Sequence, residues 1–271
     1  MRDEECVRFL QQVLPKLHMR WAGFRKVRAQ VCKRIHRRIQ HLGLDGIDDY
    51  PGYLETHEDE WQILDALCRV TISRFYRDKM MFAFLEQEVL PTLAQQVIAR
   101  GDDCLKVWSI GSGSGEEPYS IALVWQLRLQ SQFPGIKLQV IATDADPNMI
   151  RRAGEACYRY GTVKNLPEDW RKKVFTRQTE NYCLKPEYKS NVKFMRQDVR
   201  ETMPAKQFDL VLCRNLVFTY FDEELQGEIL RRIQAVLRQN GALVIGIHEA
   251  LPEPIPGFRS WSDRLHVYRR S

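Results

Sequence analysis

Residues 106–120, KVWSIGSGSGEEPYS, place three glycines at alternate positions after a short apolar run and follow them at once with two glutamates. A glycine turn between a strand and a helix lets backbone approach a ligand closely, because no side chain stands in the way. Sites for NAD, nucleoside triphosphates and S-adenosylmethionine all share that feature, and charge tells them apart. A pyrophosphate would sit at the helix N-terminus, where Glu116 and Glu117 present like charge. There is no GK[ST] for a P-loop, and Gly111, Gly113 and Gly115 give GxGxG rather than GxGxxG. A phosphate-free nucleoside carrying a sulfonium and an ammonium, S-adenosylmethionine, makes the acids favourable.

Two further positions belong to the same pattern. LQVIAT (138–143) ends at Asp144, placed to accept hydrogen bonds from ribose hydroxyls at the C-terminal edge of a sheet. FDLVLCRN (208–215) brings Arg214 and Asn215 to that edge, a charge and an amide that both donates and accepts. The plainer reading of this pair is that it satisfies loop backbone groups.

The elements that position these residues follow from periodicity. Residues 1–95 read as helical, with Val27, Val31, Ile35 and Ile39 at helical spacing and Gly43 suited to a left-handed cap. From Leu105 the pattern changes. KVWSI (106–110), a helix from Glu117 to Gln130, LQVIAT, a helix from Pro147 to Glu155, FDLVLCRN, a helix from Asp222 to Arg238 and ALVIG (242–246) alternate strand with helix. That order implies a parallel sheet covered on both faces. Residues 174–197, with VFTR, NYCLK and NVKFMRQ around a PEYKSN turn, read instead as a small antiparallel ribbon. The expected domains are 1–95, helical, and 96–271, α/β, with 174–197 as an inserted β-subdomain.

Composition narrows the class. The 271 residues are 44% apolar, enough for a real core. Cys6, Cys32, Cys68, Cys104, Cys157, Cys183 and Cys213 are scattered, with no CxxC and no histidine at ligand spacing, so reduced structural thiols and no metal are expected. The N-terminus is polar and no apolar run nears bilayer length, which predicts a cytoplasmic protein without membrane insertion. The formal charge is +6, and much of it lies between Arg20 and Arg38, where Arg25, Lys26, Arg28, Lys33, Arg34, Arg37 and Arg38 occur with no acid.

Taken together, TISRFYRD (71–78), GEEPYSIAL, ATDAD, FDLVLCRN and YFDEELQGEILRRI resemble the CheR chemotaxis methyltransferases, which methylate receptor glutamates with S-adenosylmethionine. The likeness covers most of the chain. It implies a Rossmann-like methyltransferase domain with an N-terminal helical domain and a small antiparallel β-subdomain. It implies cofactor contacts from Thr71, Ser73, Arg77, Gly111, Glu117, Asp144, Arg214 and Asn215, with Asp198 and Val199 beside the adenine. Thr71 stands where the family usually has asparagine, Ser73 where it has threonine, and Asp198-Val199 where it has Asn-Leu. Tyr220 lies six positions after Arg214, against five in the family, and GIHEAL replaces a GHSE-like string.

Methyl transfer to a carboxylate needs no general base, since the nucleophile is already ionised at neutral pH. Arg77 is expected to orient the reacting groups and Tyr220 to contact the methyl or the substrate carboxylate; an equal reading of Tyr220 is aromatic packing. His248 reads as a rim residue. The expected partner is an acidic helical protein such as a chemoreceptor, meeting the basic run, with a peptide docked on the β-subdomain as a further possibility. Aromatics are sparse among the basic residues, which disfavours nucleic acid. Enzymes acting on another protein, a small carboxylate or RNA, and a non-catalytic cofactor-binding module, are the competing readings.

Overall fold

The computed structural model describes residues 2–252 and 257–271. Two compact units emerge, Met1–Thr71 with Thr219–Gln226, and Ile72–Phe218 with Gly227–Ser271.

The first unit is built on the helices Asp3–Val13, Arg28–Leu42, Tyr50–Thr56 and Glu58–Cys68. Val31, Ile35 and Ile39 are buried, as their spacing requires, together with Phe9, Leu10, Tyr50 and Leu64. Gly43 ends the second of these helices at φ +70°, with its N–H on the carbonyls of Gln40 and Ile39. Glu60, almost fully buried, is held by a two-pronged Arg38 contact at 2.9 and 2.6 Å and by the Tyr50 hydroxyl at 2.6 Å. Here the expectation of reduced thiols is corrected: Cys6 and Cys32 are joined in a disulfide. Both lie on buried helix faces that pack against each other, a proximity no sequence spacing reveals.

The second unit contains the strands β1 (Cys104–Ile110), β2 (Lys137–Asp144), β3 (Cys157–Arg159), β4 (Phe175–Gln178), β5 (Asn181–Leu184), β6 (Val192–Arg196), β7 (Phe208–Cys213), β8 (Leu237–Ile245), β9 (Phe258–Ser262) and β10 (Val267–Arg270). A seven-stranded sheet runs β6-β2-β1-β7-β8-β10-β9, and a separate three-stranded sheet runs β3-β5-β4. The strands from β6 to β8 are parallel, whereas β10 and β9 join antiparallel. Strand order reverses at β1, with β2 on one side and β7 on the other, which makes the ends of β1 and β7 the switch point where ligands of such sheets bind. Register levels the three strands: Ile110 lies opposite both Thr143 and Cys213. Gly111, Asp144 and Arg214, each the next residue or the last of its strand, therefore share one edge.

The ribbon needs a correction. NVKFMRQ does not join it; β6 pairs parallel with β2, from Val140↔Val192 to Asp144↔Arg196. The third strand of the small antiparallel sheet is β3, with Cys157 opposite Cys183, and these two cysteines also form a disulfide. Val192 and Phe194 pack against the main core, so the strand belongs where its apolar side is covered. The segment between α-helix Pro147–Glu155 and β6 is thus an insertion inside one βαβ crossover. Helix Leu90–Ala99 and residues 100–104, where a domain boundary is expected from sequence, lie inside the second unit.

Candidate active site

The glycine turn is wired to the strand ends by backbone. Ser112 N–H donates to the Thr143 carbonyl at 3.0 Å, and Gly113 N–H to Asp144 Oδ2 at 2.8 Å. Asp144 Oδ1 accepts from Asp146 N–H at 2.9 Å, so the carboxylate is fixed by amides on either side. Gly111 and Gly113 have φ of +66° and +54°. A Cβ on Gly111 would meet Leu216 Cδ2 at 2.6 Å, whereas one on Gly113 would find nothing nearer than 3.9 Å. The first glycine is a packing requirement. The second is buried, with Glu116 Oε2 and Ser73 Cβ in ordinary contact distance of that point.

Beneath the turn sits a buried ion cluster. The Arg214 side chain, 2% exposed, donates to Glu117 Oε2 at 2.9 Å and to Asp78 Oδ2, and Ser109 Oγ donates to Glu117 Oε1 at 2.9 Å. Both oxygens of Glu117 are therefore engaged by protein. Asp78, which sequence reasoning did not single out, has φ +62° and neighbours Tyr76 at φ +54° in the same irregular loop. Arg77 lies between them, its guanidinium donating to the Ile72 carbonyl at 3.1 Å and to Asn215 Oδ1 at 3.2 Å.

Asn215 is itself held in a left-handed conformation at φ +56°. Its N–H and that of Gly246 both donate to Glu249 Oε2, at 2.8 and 2.6 Å, and Glu249 is 3% exposed. Glu249 is a positioning residue that the sequence reading missed; the only signal was its place after β8 in GIHEAL. His248, beside it, is exposed.

The other expected residues are placed less uniformly. Ser73 lies by the glycine turn, its Cβ 3.9 Å from the point a Gly113 Cβ would occupy. Val199 is buried, and Asp198 is forked by the Arg200 guanidinium at 3.0 and 2.7 Å, so its carboxylate already has a cationic partner. Thr71 and Tyr220 fall in the first unit. There the Tyr220 ring packs edge-on against Phe24, centroids 5.1 Å apart, and its carbonyl accepts from Arg20 N–H at 2.8 Å.

The donor set suits a cation-bearing nucleoside and opposes a phosphate. Glu116, Glu117 and Asp144 cluster around the turn, and Ser112 Oγ is buried without a hydrogen-bond partner among the described residues. Burial pushes the Glu116 carboxyl above the usual range, against hydrogen bonds from its own backbone amide and Ser114, the charge of Arg152 and the hydroxyl of Ser73.

Comparison with known proteins turns this geometry into an assignment. Residues 71–263 match the model of the CheR methyltransferase, SAM binding domain, and residues 26–66 that of the CheR methyltransferase, all-alpha domain. The chain belongs to the CheR methyltransferase family. It is 32% identical to the chemotaxis protein methyltransferase of Escherichia coli (strain K12) over 82% of this chain and 76% of that one. The chemotaxis protein methyltransferase of Listeria innocua is 32% identical over 70% of this chain and 69% of that one, and its Borreliella burgdorferi counterpart 26% over 83% and 81%. As a CheR methyltransferase the chain is an S-adenosylmethionine-dependent enzyme, and the acid-lined glycine turn fits that cofactor. Among the described residues no helix is long and apolar enough to cross a membrane.

Proposed function

We propose that this CheR methyltransferase forms methyl esters on glutamate side chains of a chemoreceptor or a similar acidic helical signalling protein in the cytoplasm. The observation that carries the reading is Arg77, whose guanidinium is held from two sides at the ends of β1 and β7, beside the buried Asp78–Arg214–Glu117 cluster. A fork so anchored orients a carboxylate rather than merely attracting it. The bound cofactor supplies a methyl group activated on a sulfonium. Thr71, Ser73, Gly111, Asp144, Asp198, Val199 and Asn215 are the proposed contacts that hold it, with Glu117 and Arg214 supporting the turn from below. The chain's part in the chemistry is alignment and exclusion of water from the substrate carboxylate, which is ionised at neutral pH. Tyr220 is the second proposed contact to the reacting groups.

The test is transfer of labelled methyl from S-adenosylmethionine to a purified receptor cytoplasmic fragment. Label released by mild base marks a carboxyl ester; base-stable label, or none, would overturn the substrate assignment. Asp144→Ala, assayed by calorimetry with S-adenosylhomocysteine, is expected to weaken binding by about a hundredfold, since it removes ribose acceptors and the anchor of Gly113 together. Unchanged binding would remove Asp144 from the site.

Surface charge supports an acidic partner, on fewer residues than the sequence suggested. Arg28 is engaged by Asp3 at 3.0 Å, Arg34 by the Arg69 carbonyl at 2.7 Å and Arg38 by Glu60, whereas Arg25, Lys26, Lys33 and Arg37 are exposed. Lys33→Glu combined with Arg37→Glu is expected to raise KM for the receptor fragment about tenfold in low salt, with kcat unchanged and the difference shrinking in high salt. A tail-docking role for the small sheet has a groove of about 390 Å³ to draw on, lined by Glu168, Arg171, Lys172, Phe175, Arg177 and Tyr182 next to the edge strand β4. The six-residue step from Arg214 to Tyr220 favours a second reading, methylation of another protein, a small carboxylate or RNA, which the same label would report on a different acceptor.

A further inference from the structure

We propose that the segment from His18 to Phe24 is a positioning element for methyl transfer: it sets the register of residues 219–222 and, through them, the placement of Tyr220. The inference rests on the proposed contact of Tyr220 with the reacting groups. Thr219–Gln226 belongs to the first unit, although the sequence on both sides of it belongs to the second. What captures it is a short antiparallel clasp. Met19 pairs with Phe221, and the two backbone bonds flanking that pair run from Arg20 N–H to the Tyr220 carbonyl at 2.8 Å and from Asp222 N–H to the His18 carbonyl at 3.0 Å. The Arg20 side chain adds a third, from Nε–H to the Thr219 carbonyl at 3.1 Å. Met19 and Phe221 are each 5% exposed, so the paired residues are sealed from water.

Behind the clasp, the helical turn Trp21–Phe24 meets the same loop. The fully buried Phe24 ring lies edge-on to Tyr220. Gly23 admits the loop because it has no side chain: a Cβ there would run into the Thr219 carbonyl oxygen, with the carbonyl carbon at 3.0 Å and Tyr220 Cδ1 at 3.1 Å. These residues precede residue 26, where the match to the family's helical domain begins.

Register matters here because Tyr220 lies six positions after Arg214, with Thr219 just before it. A slip of one residue would put Thr219 in the place of Tyr220 and turn alternate side chains to opposite sides. At its start the segment is fixed by Asn215, whose N–H is on Glu249 and whose side chain accepts from Arg77, and by Leu216 against Gly111. Its far end is fixed by the clasp. Val217 and Phe218, between the two anchors, are fully buried and leave no slack to absorb a shift.

The experiment compares Gly23→Ala, Tyr220→Phe and the double variant, each in the full chain, for methyl transfer to the receptor cytoplasmic fragment and for S-adenosylhomocysteine affinity. Gly23→Ala is expected to lower kcat about tenfold, with the affinity changed less than about twofold. In the Tyr220→Phe background the same substitution should change kcat less than about twofold, because the two act through one group. Amide hydrogen exchange needs no methyl acceptor, and in Gly23→Ala it should quicken about tenfold across residues 219–222 while the helix Pro147–Glu155 keeps its native rate. Should Gly23→Ala not fold, Arg20→Met, which removes the side-chain donor to Thr219 without crowding the loop, is expected to act in the same direction by about threefold in kcat and in exchange. Native exchange in the loop, native kcat, or an equal loss in both backgrounds would each overturn the proposal. Native kcat in Tyr220→Phe would instead remove the reading of Tyr220 on which it rests.

Discussion

Arg214→Met is expected to lower the unfolding free energy by about 3 kcal/mol, seen as an earlier urea midpoint with unchanged slope. The guanidinium bridges Asp78 and Glu117, and removing it leaves two carboxylates facing each other under the glycine turn. The lower end of the range for a broken buried ion cluster applies, because Asp78 and Glu117 side chains are 21% and 15% exposed and water can reach them. Neutralising the acids at the same time, with Asp78→Asn and Glu117→Gln, should return part of the loss, since the penalty is uncompensated charge rather than missing contact. A loss below about 1 kcal/mol would mean that the cluster behaves like a surface pair, and that solvent already does the work of the guanidinium.

Arg77→Ala is expected to act on turnover instead. Its guanidinium is pinned to Ile72 and Asn215, so the remaining N–H donors point in fixed directions, and alignment lost at a reacting centre costs on the order of a hundredfold in kcat. Affinity for S-adenosylhomocysteine should fall less than about tenfold. Arg77→Lys keeps the charge and loses the fork, so it should resemble the alanine variant more than the native enzyme. The opposite pattern, unchanged kcat with much weaker cofactor binding, would reassign Arg77 from orienting the reaction to holding the cofactor.

What the sequence showed and what it hid divide along physical lines. The helix Pro147–Glu155 is found at the expected bounds because its signals are local: proline at its first position, Asp146 capping the Asn148 N–H at 2.8 Å, and Met149 with Ala153 on one buried face. The glycine turn, Asp144 and Arg214 were legible for the same reason, each sitting at the end of an apolar run. Strand β6 was assigned to the wrong sheet because VKFMR alternates as any half-buried strand does, and alternation names no partner. The cysteine pairs, the Asp78 and Glu249 contacts and the different fates of Glu116 and Glu117 depend on packing between distant segments. Two adjacent glutamates look alike until the helix that carries them is seen to be buried almost throughout.

The insertion within the crossover has a consequence for how this enzyme can change over generations. Its two ends meet: Leu184 N–H donates to the Ala156 carbonyl at 2.9 Å, Lys189 Nζ reaches the Glu155 carbonyl at 2.9 Å, and the Cys157–Cys183 link closes the neck. Everything between is an excursion that starts and finishes at nearly the same place, leaving the pairing of β2 with β6 independent of its length. Because the entropy of closing a loop grows only slowly with its size, such a segment can lengthen, shorten or exchange its surface while the methyl-transfer machinery stays intact. The excursion and the chemistry are in this sense separately heritable.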